Sequence, residues 1–415
     1  MKKAIDLKGQ TIAFAASGGL DSCTTTRWLT NKGIRVVSMT VDLGQPDEPD
    51  LEKVRQRMLR AGAVEAVVLD GRDYLSEEGL RVIQSLARYE GGYWNTTGIA
   101  RYVTTDLIVR EMRQRGIEIF SHGATGRGND QVRFEVAANM LAPELACYAP
   151  WRDEEFLQLF GGRSEMINFC QANGLEVRHS HRKPYSTDAN LLGLTHEAGR
   201  LESVEVGAWE VEPEFGVLPT AAPDEAEKVV LRFEKGRPVS INGEELALFD
   251  TFAKANEIGG RNGVGICRHV VENRFVGIKS RGIYEAPGLE LLGVGYEYLL
   301  QLILDHRAQK LFHQLSAYLA IQIYQGYWLD TASDAARGAI DHFSQLATGT
   351  ITLDCYKGHV VFCAASDCPR SIYNETVASM EKVGEFDHID SEGFLNILGI
   401  SARILAKTGQ IHPRH

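Results

Sequence analysis

Six residues near the start of the chain, Ser17-Gly18-Gly19-Leu20-Asp21-Ser22, have the types and order needed to hold a pyrophosphate. Gly18 and Gly19 lack Cβ atoms, so the backbone can take positive φ there and bring successive N–H groups against phosphate oxygens. Ser17 and Ser22 add hydroxyl donors, and a helix starting near Asp21 points its positive end at the same anion. An ordinary Gly-Gly turn with a Ser/Asp cap uses the same residues, so the loop needs support from the rest of the chain. A second glycine-rich segment, His122-Gly-Ala-Thr-Gly-Arg-Gly-Asn-Asp-Gln-Val-Arg-Phe-Glu135, begins like a P-loop from Gly123 to Gly128. It then has Asn129-Asp130 where a P-loop has Lys-Ser or Lys-Thr, so the phosphate lysine and the magnesium hydroxyl are missing, and the dinucleotide fingerprint fails as well. What remains is a loop whose Thr125, Asn129, Asp130 and Arg133 suit a polar, doubly charged ligand.

These loops need a scaffold that presents them together. Over the first part of the chain, short β-branched runs alternate with longer helical patterns, as in a parallel sheet covered by helices. Strands are expected at Thr11 to Ala16, Ile34 to Val41, Val64 to Leu69 and Ile117 to Ser121. Helices are expected at Asp21 to Lys32, Leu51 to Arg60, Tyr74 to Tyr89 and Ile99 to Arg115. Both glycine loops then follow strand ends of one sheet, the edge at which open α/β sheets bind ligands. The alternation stops after Gly174, which places a domain boundary near residue 175. Beyond it, Lys228 to Phe233 and Pro238 to Ile241 read as strands, Asn242-Gly243 as a hairpin turn, and Leu291 to Tyr327 as one helical stretch. Thr350 to Asp354 and His359 to Cys363 read as a hairpin around Tyr356-Lys-Gly358, and Glu392 to Ala406 as a short amphipathic helix ahead of a tail from Gly409 to His415.

With 415 residues, 44% of them hydrophobic and 24% charged, the chain has the composition of an ordinary globular protein of two or three domains. A net charge of -11 argues against a nucleic-acid partner, whose footprint would be basic. No run of roughly 18 apolar residues and no apolar leader segment occurs, so no membrane partner and no secretion are expected. Seven cysteines without a CxxC pair fit reduced thiols in a cytoplasmic enzyme, and Cys363 and Cys368 read as buried apolar thiols.

The Ser17 to Ser22 loop resembles that of the ATP pyrophosphatases, which cleave ATP to AMP and pyrophosphate. The longer match Gly123 to Glu135 resembles the argininosuccinate synthase family. So do Pro184-Tyr-Ser-Thr-Asp-Ala-Asn190, Thr195-His-Glu197, Val271-Glu-Asn-Arg-Phe-Val-Gly-Ile-Lys-Ser-Arg-Gly-Ile-Tyr-Glu285 and Tyr373-Asn-Glu375. The resemblance implies an α/β fold in three parts. An ATP pyrophosphatase-type nucleotide-binding domain covers 1–175, an α+β synthetase and multimerisation domain 176–375, and a C-terminal oligomerisation arm 376–415. It implies a carbon–nitrogen ligase that adenylates citrulline and then couples it to aspartate, with ATP as substrate, Mg2+ carried by the phosphates and a homotetrameric assembly. By the same resemblance, Ala15, Ala16, Ser17, Gly18, Gly19, Leu20, Asp21, Ser22, Cys23, Val41, Gly123, Thr125 and Thr187 meet ATP. Thr125, Asn129 and Asp130 hold aspartate, while Tyr93, Thr97, Asn129, Arg133, Ser186, Asp188, Thr195, Glu197, Glu272 and Tyr284 surround citrulline.

Some positions depart from the family's usual pattern. Ala16 stands where an aromatic residue is frequent, Cys23 where serine is frequent, and Arg127 in place of lysine; Gly98 sits near where some members place a serine, leaving Thr97 as the nearest hydroxyl. Amidation, tRNA thiolation through Cys23 and a catalytically silent metabolite-binding paralogue are the competing readings. No residue is singled out as a general base, since Asp130 and a phosphate oxygen both qualify.

Overall fold

In a computed structural model of the full chain, residues 3–175, 185–381 and 387–411 are described. Pro184, the start of one matched block, and the last residues of the tail lie outside them. The chain divides into two compact units, Met1–Arg370 and Ser371–His415.

The first unit opens on a parallel sheet. Its strands are β1 (Thr11–Ala15), β2 (Arg35–Asp42), β3 (Glu65–Asp70), β4 (Ile119–His122) and β5 (Ala146–Tyr148), in the order β3-β2-β1-β4-β5. The helices α1 (Leu20–Asn31), α2 (Leu51–Arg60), α3 (Arg72–Ser85), α4 (Thr96–Arg115) and α5 (Asp130–Leu141) alternate with these strands. Alternation along a strand sends successive side chains to opposite faces. Ile12 and Phe14 accordingly enter one core with Val36 and Ile119, and Ala13 enters another with Val37, Met39 and Phe120. A sheet apolar on both faces must be covered on both, as a parallel sheet is. Strand β5 was not anticipated; its three residues form the far edge of the sheet.

The later strands are β6 (Ser186–Asn190), β7 (Gly193–Glu197), β8 (Glu227–Glu234), β9 (Arg237–Ile241), β10 (Glu244–Glu245), β11 (Arg268–Asn273), β12 (Lys279–Glu285), β13 (Gly349–Tyr356) and β14 (His359–Ser366). They form two antiparallel sheets, β10-β9-β8-β13-β14 and β11-β12-β7-β6. The core beneath the parallel sheet runs without a break into Val229, Leu231, Phe233, Ile351 and Leu353 of β8 and β13.

Two local expectations are corrected, and one strand was not foreseen. The stretch from Leu291 to Tyr327 is two helices, Pro287–Ile303 and His306–Gln325, because Asp305 caps the second by accepting from Ala308 N–H at 2.8 Å. Asp188-Ala189-Asn190, whose residue types favour a turn, is part of strand β6. Cys363 is exposed on β14 and Cys368 half-buried, since β14 lies at a sheet edge with little covering it.

In the second unit, the helix His388–Lys407 is longer than the sequence suggested, and Ile389, Phe394, Ile397, Leu398 and Ile404 along it are exposed.

Candidate functional site

The first glycine loop joins β1 to α1. Gly18 has φ +73°, and a Cβ there would stand 2.6 Å from Val54 Cγ1 of α2, so both conformation and space demand glycine. Ser17 N–H donates to Ser22 Oγ at 3.1 Å, and the two hydroxyl oxygens are 3.3 Å apart. Gly19 caps α1 without a side-chain hydrogen bond, so the first-turn N–H groups keep no intrahelical acceptor. Arg57 Nε donates to the Gly18 carbonyl at 3.1 Å, and its Nη2 pairs with Glu48 Oε2 at 2.5 Å. The second loop leaves the neighbouring strand, for His122 of β4 pairs with Ala15 of β1. A Cβ on Gly123 would lie 3.5 Å from Phe14 of β1, a close approach of the two strand ends.

The sheet β11-β12-β7-β6 supplies a second wall. Its register sets Asp188 opposite Thr195, Ser186 opposite Glu197, Thr195 opposite Tyr284 and Glu272 opposite Ser280. Cross-strand partners share a face and residues two apart share a face. Ser186, Asp188, Thr195, Glu197, Glu272 and Tyr284 therefore stand on one face, brought there from four strands. Thr187 pairs with His196 and belongs to the opposite face, so its side chain is not among them.

Aromatic rings close one side of this face. Tyr93 stacks on Tyr284 at 4.0 Å and meets Tyr324 edge-on at 6.4 Å, while Tyr89 stacks on Tyr324 at 3.7 Å. The Tyr93 hydroxyl accepts from Thr97 N–H at 3.0 Å, and the Thr97 and Thr195 hydroxyls are 3.2 Å apart. The Tyr324 hydroxyl donates to Glu272 Oε2.

Charge is concentrated here. Arg101 Nε donates to Asp130 at 2.9 Å and its Nη2 to Asp188 at 2.5 Å. Arg133 Nη1 donates to Asp130 at 2.9 Å, and its Nε to the Tyr324 carbonyl at 2.9 Å. Burial alone would raise Asp130, but Arg101 and Arg133 outweigh it and hold the carboxyl below the usual range. Burial raises Asp188, with Arg101 opposing and Asp130 adding to the rise. Glu197 ends β7 and is exposed. Desolvation there, with Asp130, Asp188 and Glu272 nearby and Arg274 opposing, pushes it up to about 7. Burial raises Glu272 as well, against Tyr324, Arg133 and Arg274. Such a face has unspent negative charge and suits a ligand that brings an ammonium group.

Comparison with known proteins agrees with the motifs. Residues 11–176 match the Arginosuccinate synthase N-terminal HUP domain, and residues 185–405 match the Arginosuccinate synthase C-terminal domain. The chain belongs to the argininosuccinate synthase family. It is 38% identical over 402 residues to the argininosuccinate synthase of Rhodopirellula baltica, covering 96% of this chain and 98% of the relative. It is 36% identical over 406 residues to that of Thermotoga petrophila, with the same two coverages of 96% and 98%.

Of the departures from the pattern of the argininosuccinate synthase family, Gly98 has a local explanation. A Cβ on Gly98 would stand 2.9 Å from the Ile323 carbonyl oxygen, so a serine does not fit. Cys23 is buried and its Sγ donates to the Gly18 carbonyl at 3.7 Å; burial, with Cys170 nearby and Arg57 opposing, pushes the thiol up to about 11. A thiol so placed is a poor nucleophile. Ala16 is buried, its N–H on the Met39 carbonyl at 3.0 Å and its carbonyl accepting from Thr40 Oγ1 at 2.9 Å. Arg127 is exposed, and its carbonyl accepts from Arg274 Nη1 at 3.3 Å. Thr125 is also exposed, and Asn129 Oδ1 accepts from Phe275 N–H at 2.9 Å. Val41 lies two residues beyond Met39, the last residue of β2 paired with β1, and its carbonyl accepts from Gln45 Nε2 at 2.9 Å.

Sequence reasoning overlooked Arg101, Arg274 and Tyr324. Arg101 carried a signal, four residues after Thr97 and so on the same side of a helix. Arg274 lies inside a quoted block. Tyr324 had none: in a regular apolar helical pattern it reads as core.

Proposed function

We propose that the chain joins L-citrulline to L-aspartate at the expense of ATP, giving argininosuccinate, AMP and pyrophosphate. The observation that carries this reading is the single sheet face of carboxylates, hydroxyls and tyrosines beside two glycine loops on adjacent strand ends. In the first step the ureido oxygen of citrulline attacks the α-phosphorus of ATP, and the bond from that phosphorus to the bridging oxygen breaks. Pyrophosphate, with its Mg2+, leaves into the donors of the first loop: the N–H groups of Gly18 to Ser22 and the hydroxyls of Ser17 and Ser22. The ureido carbon is a poor electrophile while its nitrogens donate into the carbonyl. Once the oxygen carries AMP, the aspartate amine can add there and AMP departs with the electron pair of the C–O bond.

On this reading Gly123, Thr125 and backbone near Ala15 to Cys23 and Val41 contact the nucleotide, and Thr125, Asn129 and Asp130 hold aspartate. Tyr93, Thr97, Asn129, Arg133, Ser186, Asp188, Thr195, Glu197, Glu272 and Tyr284 hold citrulline. Thr187 stands on the other side of the sheet from this group, so a contact with ATP would come through its backbone. Glu197 and Glu272 receive the α-ammonium, and the incoming cation favours their ionised forms. Asp130, already paired with two guanidinium groups, is too weak a base to take the proton of the aspartate amine. It orients, and a phosphate oxygen is the better acceptor.

The same reading divides the chain at 1–175, 176–375 and 376–415, and places a homotetramer in the cytoplasm. The seven free thiols and the exposed apolar residues of His388–Lys407 support it. Among the described residues, no helix is long and apolar enough to cross a membrane. The test is to incubate the protein with ATP, Mg2+ and citrulline, with and without aspartate, following pyrophosphate, AMP and argininosuccinate. Absence of aspartate-dependent AMP and argininosuccinate would refute the assignment.

A further inference from the structure

We infer that His122 is a positioning residue for the second glycine loop, acting through one hydrogen bond accepted by its Nδ1. His122 ends β4, is wholly buried and stacks on Phe134 at 5.2 Å with the rings 16° from parallel. Ala124 N–H donates to His122 Nδ1 at 3.3 Å. A ring nitrogen that accepts carries no proton, so the ring proton sits on Nε2. That nitrogen faces Glu135 Oε1 of α5 at 3.2 Å. Burial would raise Glu135, but hydrogen bonds from His122 and Arg152 outweigh it and keep the carboxyl below its usual range, ready to accept. Arg152 Nη1 also donates to Glu135 Oε2 at 3.2 Å. The polarity runs one way: Arg152 holds Glu135, Glu135 holds the Nε2 proton, and the bare Nδ1 holds the Ala124 amide.

The loop needs this support. Glycines at 123, 126 and 128 give it little stiffness, and within it Gly128 N–H donates to the Thr125 carbonyl at 3.3 Å. Ala124 lies between Gly123 and Thr125, the residues of this loop proposed to contact ATP, and the inference rests on that assignment. Fixing the Ala124 amide sets the direction in which the chain leaves β4.

Two amide variants separate the ring nitrogens. His122→Asn places an oxygen near the position of Nδ1 but does not reach Glu135, whereas His122→Gln reaches Glu135 and leaves Ala124 without an acceptor. ATP binding by calorimetry with Mg2+, KM for ATP, kcat and Tm are measured for both. His122→Gln is expected to weaken ATP binding and raise KM about fivefold or more, and His122→Asn to stay within about twofold, as the loss of one neutral hydrogen bond predicts. Equal effects of the two variants, or none in either, would overturn the role. If neither variant folds, Ala124→Pro deletes the donor from the loop side and carries the same expectation at unchanged Tm; unaltered ATP binding there overturns the role too. Wild-type protein that binds ATP but forms no argininosuccinate removes the proposed ligation and leaves the binding comparison to decide on His122; wild-type protein that binds no ATP overturns both.

Discussion

The first glycine loop and the face of the β11-β12-β7-β6 sheet are built in opposite ways. The loop works with backbone: small residues, positive φ at Gly18, and first-turn N–H groups with no intrahelical acceptor. The sheet face works with side chains, two arginines threaded among Asp130, Asp188, Glu197 and Glu272 under stacked tyrosines. A phosphate chain is recognised by charge and is much the same in every nucleotide, so N–H groups at a helix start suffice. An amino-acid substrate has groups of both signs at set distances, so its site needs side chains held in place by one another. The loop should therefore be sensitive to volume and the face to charge.

The largest effect expected is on the face. Arg101→Met leaves Asp130 and Asp188 without their shared cation, and because the pair is only partly buried the loss of stability should be about 2–4 kcal/mol, overlapping the lower part of the range for a fully buried pair. Denaturant unfolding measures it; a loss under about 1 kcal/mol would mean that the face is not held together by charge.

Next comes the loop. Gly18→Ala must take positive φ and push against Val54, about 2–3 kcal/mol of strain and overpacking together, so ATP affinity should fall roughly 30-fold or more. Calorimetry that finds the affinity unchanged would show that the loop tolerates volume and break the contrast.

A smaller effect concerns Glu197. Its pKa, raised to about 7 in the folded state, means that the native protein holds this proton more tightly than the unfolded chain. The resulting stabilisation is full at low pH and is lost as pH rises through about 7. Tm of the wild type should fall relative to Glu197→Gln between about pH 5 and 7.5. Citrulline binding near pH 6.5 should release more protons in the wild type than in the variant, which keeps only Glu272 to respond, read from calorimetric heats in buffers of different ionisation enthalpy. Equal heats in all buffers would take Glu197 away from the ammonium.

The smallest expected effect is Cys23→Ser, with stability within about 0.5–1.5 kcal/mol and kcat within about twofold, since the thiol makes one long contact and is not a nucleophile. Loss of all activity would instead point to sulfur chemistry at the loop.

Much of this was legible from residue order alone, and the reason is locality. The Gly18-Gly19 pair, the strand before it and the helix after it are contiguous, and each obeys short-range rules of sterics and periodicity. The same holds for the first four parallel strands, placed to within about two residues, and for the hairpin turn at Lys357-Gly358. The break at Asp305 was missed because apolar spacing continues across it, although a capping aspartate stood there. Strand β6 was missed because its residue types favour a turn and its partners decide otherwise.

The sequence by itself determined the family, the chemistry of the first loop and which residue types are available to hold an amino acid. Tertiary structure alone decided which of them stand together. Strand register put Asp188, Thr195, Glu197, Glu272 and Tyr284 on one face and Thr187 on the other, and a distant helix delivered Tyr324 to Glu272. Side-chain direction in a strand reverses at every residue, and pairing partners are chosen by burial across the whole core, so neither can be read from neighbours in the chain.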